Sequence, residues 1–310
     1  MVAVASGSGN NGTTSEENKL MVIVRLMGGL GNQMFQYSAA RRLAYALNAE
    51  LKLDLTWFKE PGSRPYVLSA FNIAEDMASP REILTLTIER PVFVRMAMTR
   101  LLGIKFYRPK SYVKETSFAF DPCILTLSDG IYLDGYWQSE KYFADVEQLI
   151  RTEFTLRKPL SDRIKSLAEA TASCNSVSIH VRRGDYLLKN KIVFHGVCTP
   201  EYYNTCVDIL IQRITNPHFF VFSDDPPWAI QNLKVPCKVT FLEPSLGERS
   251  FEDLWLMSTC RNHIIANSSF SWWGAWLSNN PDKAVIAPRQ WFRTTALDSK
   301  DIVPERWLKI

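Results

Sequence analysis

The chain has 310 residues, of which 46% are apolar and 22% charged, a balance that excludes a disordered or fibrous protein. A net charge of +4 with no basic block admits an anionic small-molecule ligand and argues against nucleic acid as the partner. Six scattered cysteines without a Cys-x-x-Cys pair, and four dispersed histidines, argue against a zinc site on spacing; the cysteines read as free thiols, with disulfides in an oxidising lumen as the alternative.

The opening MVAVAS lacks the basic region and apolar core of a secretory signal. Residues 7–20, GSGNNGTTSEENKL, read as part of a disordered leader or linker spanning 1–20, with folded protein from Met21. No apolar run approaches the ~18 residues of a membrane-spanning helix. Met21–Met27 is a buried strand, Gly28–Asn32 a tight turn, Met34–Leu47 a helix by its apolar spacing, and Leu51–Leu55 the next strand, together a right-handed β-α-β unit. Six prolines interrupt residues 60–130, where Arg81–Leu102 reads as one helix kinked at Pro91 or as two. Ile131–Tyr136 is a strand and Ser139–Phe154 an amphipathic helix capped by Ser139.

A second alternating series follows Lys158-Pro159. Helices are expected at Ser161–Ala172, Pro200–Ile214, Pro226–Leu233, Phe251–Cys260 and Ser271–Leu277. Strands are expected at Ser176–Val181, His218–Phe222, Lys238–Leu242, His263–Ala266 and Ala284–Ala287. Strands alternating with helices imply parallel sheets covered on both faces, here as two α/β domains, 21–157 and 158–310.

Four stretches carry chemistry. In Gly28-Gly29-Leu30-Gly31-Asn32-Gln33, glycines at a helix N-terminus let backbone amides approach an anion, and Asn32 and Gln33 can bond sugar hydroxyls or phosphate. The same text reads as a dinucleotide fingerprint with Asp54 on a ribose, although Met34 occupies the third small position, or as a plain tight turn. In His180-Val181-Arg182-Arg183-Gly184-Asp185-Tyr186, a buried strand ends in fixed cations suited to a phosphate-bearing ligand. Arg182 shares a side of the strand with His180 and is the expected ligand-facing guanidinium, and a structural Arg–Asp185 pair is the competing reading. In Ser223-Asp224-Asp225-Pro226 a carboxylate can accept two hydrogen bonds from guanine, or cap the following helix. In Asn267-Ser268-Ser269, hydroxyls and helix amides offer a diphosphate cradle, and the Trp272-Trp273 pair either stacks on a sugar or fills core. The chain has no Asp-x-Asp, the usual short metal–diphosphate clamp.

GGLGNQMFQYSAA, YLDGYWQSEKYF, HVRRGDY with FVFSDDP, and Asn262–Trp276 together resemble the α-1,2-fucosyltransferases of glycosyltransferase family 11, in order from Met21 onward. The resemblance implies a GT-B-type fold, two Rossmann-like domains facing a cleft, with GDP-β-L-fucose held mainly by the second. It implies inverting, metal-independent transfer of fucose to the 2-hydroxyl of a terminal β-galactose. It places His180 and Asp224 on guanine and Arg182 on the β-phosphate, with Gly29, Gly31, Asn32, Gln33, Asn267, Ser268 and Ser269 around the donor. The general base does not carry over: related chains have a Glu in the loop where this one has Asn190. Asp185 is the first candidate and His195 the second, and Asp185 orienting Arg183 is an equal alternative. A bacterial cytoplasmic location is expected, with peripheral membrane association if the acceptor is lipid-linked; a trimmed luminal domain would read the same way. The competing functions are another GDP-sugar transferase of the protein O-fucosyltransferase kind, an NAD-dependent enzyme, and a non-catalytic nucleotide- or carbohydrate-binding protein.

Overall fold

A computed structural model describes residues 20–87, 111–128, 130–187, 193–194, 196–294 and 297–310. The expected helix beyond residue 87, the position Asn190 and the base candidate His195 lie outside the described residues.

The first half contains β1 (Met21–Arg25), α1 (Leu30–Leu47), β2 (Glu50–Asp54), α2 (Pro80–Thr87), β3 (Tyr112–Lys114), β4 (Ile131–Asp134) and α3 (Glu147–Glu153). Its sheet is wholly parallel in the order β2-β1-β4-β3. The second half runs α4 (Asp162–Ala172), β5 (Asn175–Val181), α5 (Pro200–Arg213), β6 (Pro217–Ser223), α6 (Pro226–Asn232) and β7 (Lys238–Phe241). It continues with α7 (Ser250–Thr259), β8 (Asn262–Ile264), α8 (Ser269–Leu277), β9 (Val285–Ala287) and β10 (Leu308–Lys309). These strands form a six-stranded parallel sheet ordered β7-β6-β5-β8-β9-β10. Renumbered from β5, that is the 3-2-1-4-5-6 order of the doubly wound nucleotide-binding fold, and its direction of winding reverses between β5 and β8. In the first sheet the reversal falls between β1 and β4. The expected α/β architecture of two Rossmann-like sheets is therefore present.

Several boundaries differ from expectation for identifiable reasons. Helix α1 starts at Leu30 with Gly29 as its cap, so Gly31, Asn32 and Gln33 belong to its first turn rather than to a loop. The segment expected as one helix from Ser139 is two short 3-10 turns followed by α3. Ser139 does accept a cap bond from the Lys141 N–H. Phe143 interrupts the helix because its ring is drawn inward to stack on Trp273, with centroids 5.4 Å apart. Strands β3 and β10 had no expectation attached to them; both are short and lie at sheet edges.

The apolar core does not respect the two halves. One continuous cluster joins Val24 and Phe35 of the first half to Trp272, Trp273 and Trp307 of the second. Phe35 lies 4.5 Å from Trp272 and 5.0 Å from Trp273, ring centre to ring centre. Both tryptophans are fully buried, so they fill core space and do not stack on a sugar. The six cysteines are all free.

Candidate active site

Parallel register builds the site. Val181 at the end of β5 pairs with Ser223 at the end of β6, which sets Arg182 and Arg183 beside Asp224 and Asp225. This edge adjoins the crevice between β5 and β8, where parallel α/β sheets bind their ligands.

The Arg182 guanidinium lies between two carboxylates. Its Nη2 donates to Asp185 Oδ1 at 2.5 Å and its Nη1 stands 3.1 Å from Asp224 Oδ2. Its charge also lies over the Tyr186 ring, 5.4 Å from the centroid. The other Asp224 oxygen accepts the Arg183 N–H at 2.8 Å, so Asp224 fixes the strand end as well as the guanidinium. Gly184 is required here: a Cβ would sit 2.8 Å from Asp224 Oδ2. Arg183 points the other way, onto the face of Trp228 at 3.9 Å. Its Nε is 3.5 Å from Asp225 Oδ2 but makes no hydrogen bond. Asp225 caps α6 through the Trp228 N–H, and Ser223 Oγ accepts the Asp225 N–H at 2.9 Å. The capping reading of that trio thus holds for Asp225.

His180 is buried under Phe270, ring centroids 5.6 Å apart, and its Nδ1 has no hydrogen-bond partner among the described residues. Burial, aided by the Arg182 charge, pushes its pKa down to about 3, so the imidazole is neutral at ordinary pH and can donate from one nitrogen and accept at the other. An orphaned polar atom at a ligand-binding edge is what a site awaiting a hydrogen-bonding group presents.

The N-termini of α1 and α8 meet across the crevice. A Cβ on Gly31 would fall 2.6 Å from the Ser269 carbonyl oxygen, so this glycine serves helix contact. Asn32 Oδ1 accepts from Ser269 Oγ at 2.7 Å and from Gln138 Nε2 at 2.8 Å, joining the first turns of α1 and α8 to the segment after β4. Neither helix carries an acid in its first turn, so two positive dipole ends converge without an internal counter-charge. Ser268 is the N-cap of α8 and makes no side-chain cap bond. Asn267 is held by its own contacts, donating to the Trp291 carbonyl at 3.1 Å and accepting weakly from Cys198. Gln33 is likewise spent on backbone: its amide donates to Gly28 and Pro65 and accepts from the Val67 N–H. Gly29 faces open space. Asp54 is buried with both oxygens occupied, by the Thr56 N–H and the Tyr132 hydroxyl, which overturns the dinucleotide reading.

Two charged residues carried no signal in the sequence. Arg64 reaches from the first half to Asp185 Oδ2 at 2.8 Å. Glu115, just past β3, accepts the N–H groups of Tyr136 and Trp137. It thereby holds Trp137 at φ 55, a left-handed conformation costly for so large a side chain.

The family model for glycosyl transferase family 11 matches residues 2–310. The chain belongs to glycosyltransferase family 11. Among curated relatives, it is 35% identical to the alpha-1,2-colitosyltransferase of Escherichia coli over 94% of this chain and 99% of that protein. It is 26% identical to human galactoside alpha-(1,2)-fucosyltransferase 1, over 81% of this chain and 64% of that protein. Among solved structures, the fucosyltransferase NodZ from Bradyrhizobium aligns with a TM-score of 0.48 at 17% identity, over 83% of this chain and 92% of that one. As a family 11 member the chain is a glycosyltransferase. No described helix is long and apolar enough to cross a membrane.

Proposed function

We propose that this enzyme transfers L-fucose from GDP-β-L-fucose to the 2-hydroxyl of a terminal β-galactose, with inversion. The observation that carries the reading is Arg182 held at the winding reversal of a 3-2-1-4-5-6 sheet, where a nucleotide diphosphate binds. In this reading His180 and Asp224 meet the guanine. Negative charge that grows on the β-phosphate as the sugar leaves is met by Arg182, by the converging ends of α1 and α8, and by Ser268 and Ser269. Fixed donors of this kind are each worth about 3 kcal/mol of activation energy, so the reaction needs no metal ion. Both Asp185 oxygens already engage guanidiniums, so the reading gives Asp185 the orienting role and leaves the proton to another group.

A second donor is favoured by one observation, the 35% identity to an alpha-1,2-colitosyltransferase. Colitose is fucose without its 3-hydroxyl, so the same diphosphate and guanine contacts would serve both. The test is incubation in EDTA with GDP-fucose or GDP-colitose and a panel of β-galactosides, with product linkage read by NMR. An α-1,2-fucosylated galactoside is expected, and Arg182→Ala should abolish its formation while leaving circular dichroism unchanged. Turnover by Arg182→Ala near the wild-type rate would remove the phosphate assignment. Product only from GDP-colitose would change the donor, and dependence on added manganese would end the metal-free mechanism.

A further inference from the structure

Asp185 is shared by two guanidiniums that come from opposite sides of the crevice. Arg182 follows β5 in the second half, and Arg64 sits in the loop after β2 in the first half, 121 residues earlier than Asp185. Arg64 is not there by accident of a loose loop. Gln33, in the first turn of α1, donates to the Pro65 carbonyl at 2.9 Å and accepts the Val67 N–H at 3.0 Å. Its amide also donates to the Gly28 carbonyl, tying the Arg64 loop to the glycine turn after β1. A wholly buried glutamine thus spends its hydrogen-bonding capacity on fixing the first-half backbone on either side of Arg64. The Arg64 side chain is about half exposed, at 47%, so it is accessible to a ligand as well as to Asp185.

The charge count gives this arrangement a use. Arg182 and Arg64 contribute two positive charges; Asp185 and Asp224 contribute two negative ones. Asp224 is anchored by the Arg183 N–H, whereas Asp185 sits on a short turn after Gly184. A carboxylate that engages one guanidinium with each oxygen occupies the position of a group with several anionic oxygens, and guanidinium forks suit such a group.

We propose that Arg64 is a second diphosphate-binding cation, supplied by the first half and positioned by Gln33, and that Asp185 holds its place until the nucleotide arrives. This rests on the donor reading above. On binding, phosphate oxygens take over Arg64 and the facing edge of Arg182, and the diphosphate is gripped from both halves. An ordinary exposed ion pair would instead be worth between nothing and ~1 kcal/mol and would be indifferent to ligand.

The experiment is calorimetric titration of GDP, GMP and guanosine into the full-length wild type, Arg64→Ala, Arg64→Lys, Arg182→Ala, Asp185→Asn, and the double variant Arg64→Ala/Asp185→Asn. Arg64→Ala is expected to weaken GDP roughly tenfold, to leave guanosine unchanged, and to be partly rescued by Arg64→Lys. The same tenfold loss should persist in the Asp185→Asn background, because the contact is to phosphate and not through Asp185. Unchanged GDP binding by Arg64→Ala, or a loss that vanishes once Asp185 is replaced, would overturn the proposal. If Arg182→Ala still loses GDP in that case, the donor reading stands without it. Failure of the wild type to bind GDP would sink both.

Discussion

Glu115 is the residue whose setting is least like that of an ordinary carboxylate. Burial pushes its pKa up to about 7 and the neighbouring Asp134 adds to the rise, while the N–H groups of Tyr136 and Trp137 pull the other way. Asp134 is itself engaged by Arg25 and by the Tyr112 hydroxyl, so little cationic charge is left over for Glu115. A carboxyl whose folded value lies above its unfolded value binds its proton more tightly when folded. Its contribution to stability is full below about pH 4.5 and is lost as pH rises through about 7. At ~1.4 kcal/mol for each pH unit of that interval, the loss by pH 8 is on the order of 3 kcal/mol. Glu115→Gln removes the titration and adds a constant offset from one mismatched acceptor. Urea unfolding from pH 4.5 to 8 should therefore show the stability of wild type relative to Glu115→Gln falling steadily with pH. A difference that stays flat across that range would mean Glu115 titrates as a solvated group. Neither Glu115 nor Arg64 stood out in the sequence, and for the same reason. Each lies beyond an unremarkable segment, and each acquires its role from a partner that only the folded chain brings near. Arg182, Arg183 and Asp224 were legible because a buried strand ending in charge has no packing explanation.

At the scale of elements, the glycine turn shows a motif carrying packing work that its sequence did not announce. Gly31 was expected to let a backbone amide approach phosphate, yet its bare Cα is filled by the backbone of α8. Backbone cannot rotate away as a side chain can, so Gly31→Ala forces the two helices apart. Overpacking of this kind costs typically 1–3 kcal/mol, and the upper part of that range is expected here. It should also lower activity by breaking the Asn32–Ser269 bond that spans the crevice. Gly29→Ala is the control: nothing lies within reach of its Cβ and its φ of −79 suits alanine, so stability should fall only by the smaller cost of alanine at an N-cap, under about 1 kcal/mol. Equal urea midpoints for the two variants would show that α1 and α8 have room to spare. The buried strands β1 and β6 were legible as largely apolar runs, as strands covered on both faces must be, and β5 by its Val and Ile residues alternating with buried serines and His180. Strands β3 and β10 were not, because two or three residues pairing with a single neighbour carry too short a pattern to register.

At the scale of the whole molecule, two sheets share one core, and that decides how the protein should come apart. The sequence presents two alternating series with a junction near residue 157, which reads as two domains. The packing argues for more coupling than that. Trp272, Trp273 and Trp276 of α8 are buried against Phe35 of α1 and Phe143. Arg151 of α3 lies over Trp276 at 4.3 Å and donates to its carbonyl oxygen at 2.7 Å. Separating the halves would expose these rings on both sides, at about 25 cal/mol for each Å² of apolar surface uncovered. Neither sheet can therefore melt while the other keeps its full stability. Scanning calorimetry should give one transition whose calorimetric and van't Hoff enthalpies agree. Trp272→Ala, at a cost of roughly 3–5 kcal/mol, should move that whole transition to lower temperature without splitting it. Two resolved peaks in the wild type, or a variant in which only one part of the trace shifts, would show that the halves are independent and that the tryptophan seam is a contact rather than a core.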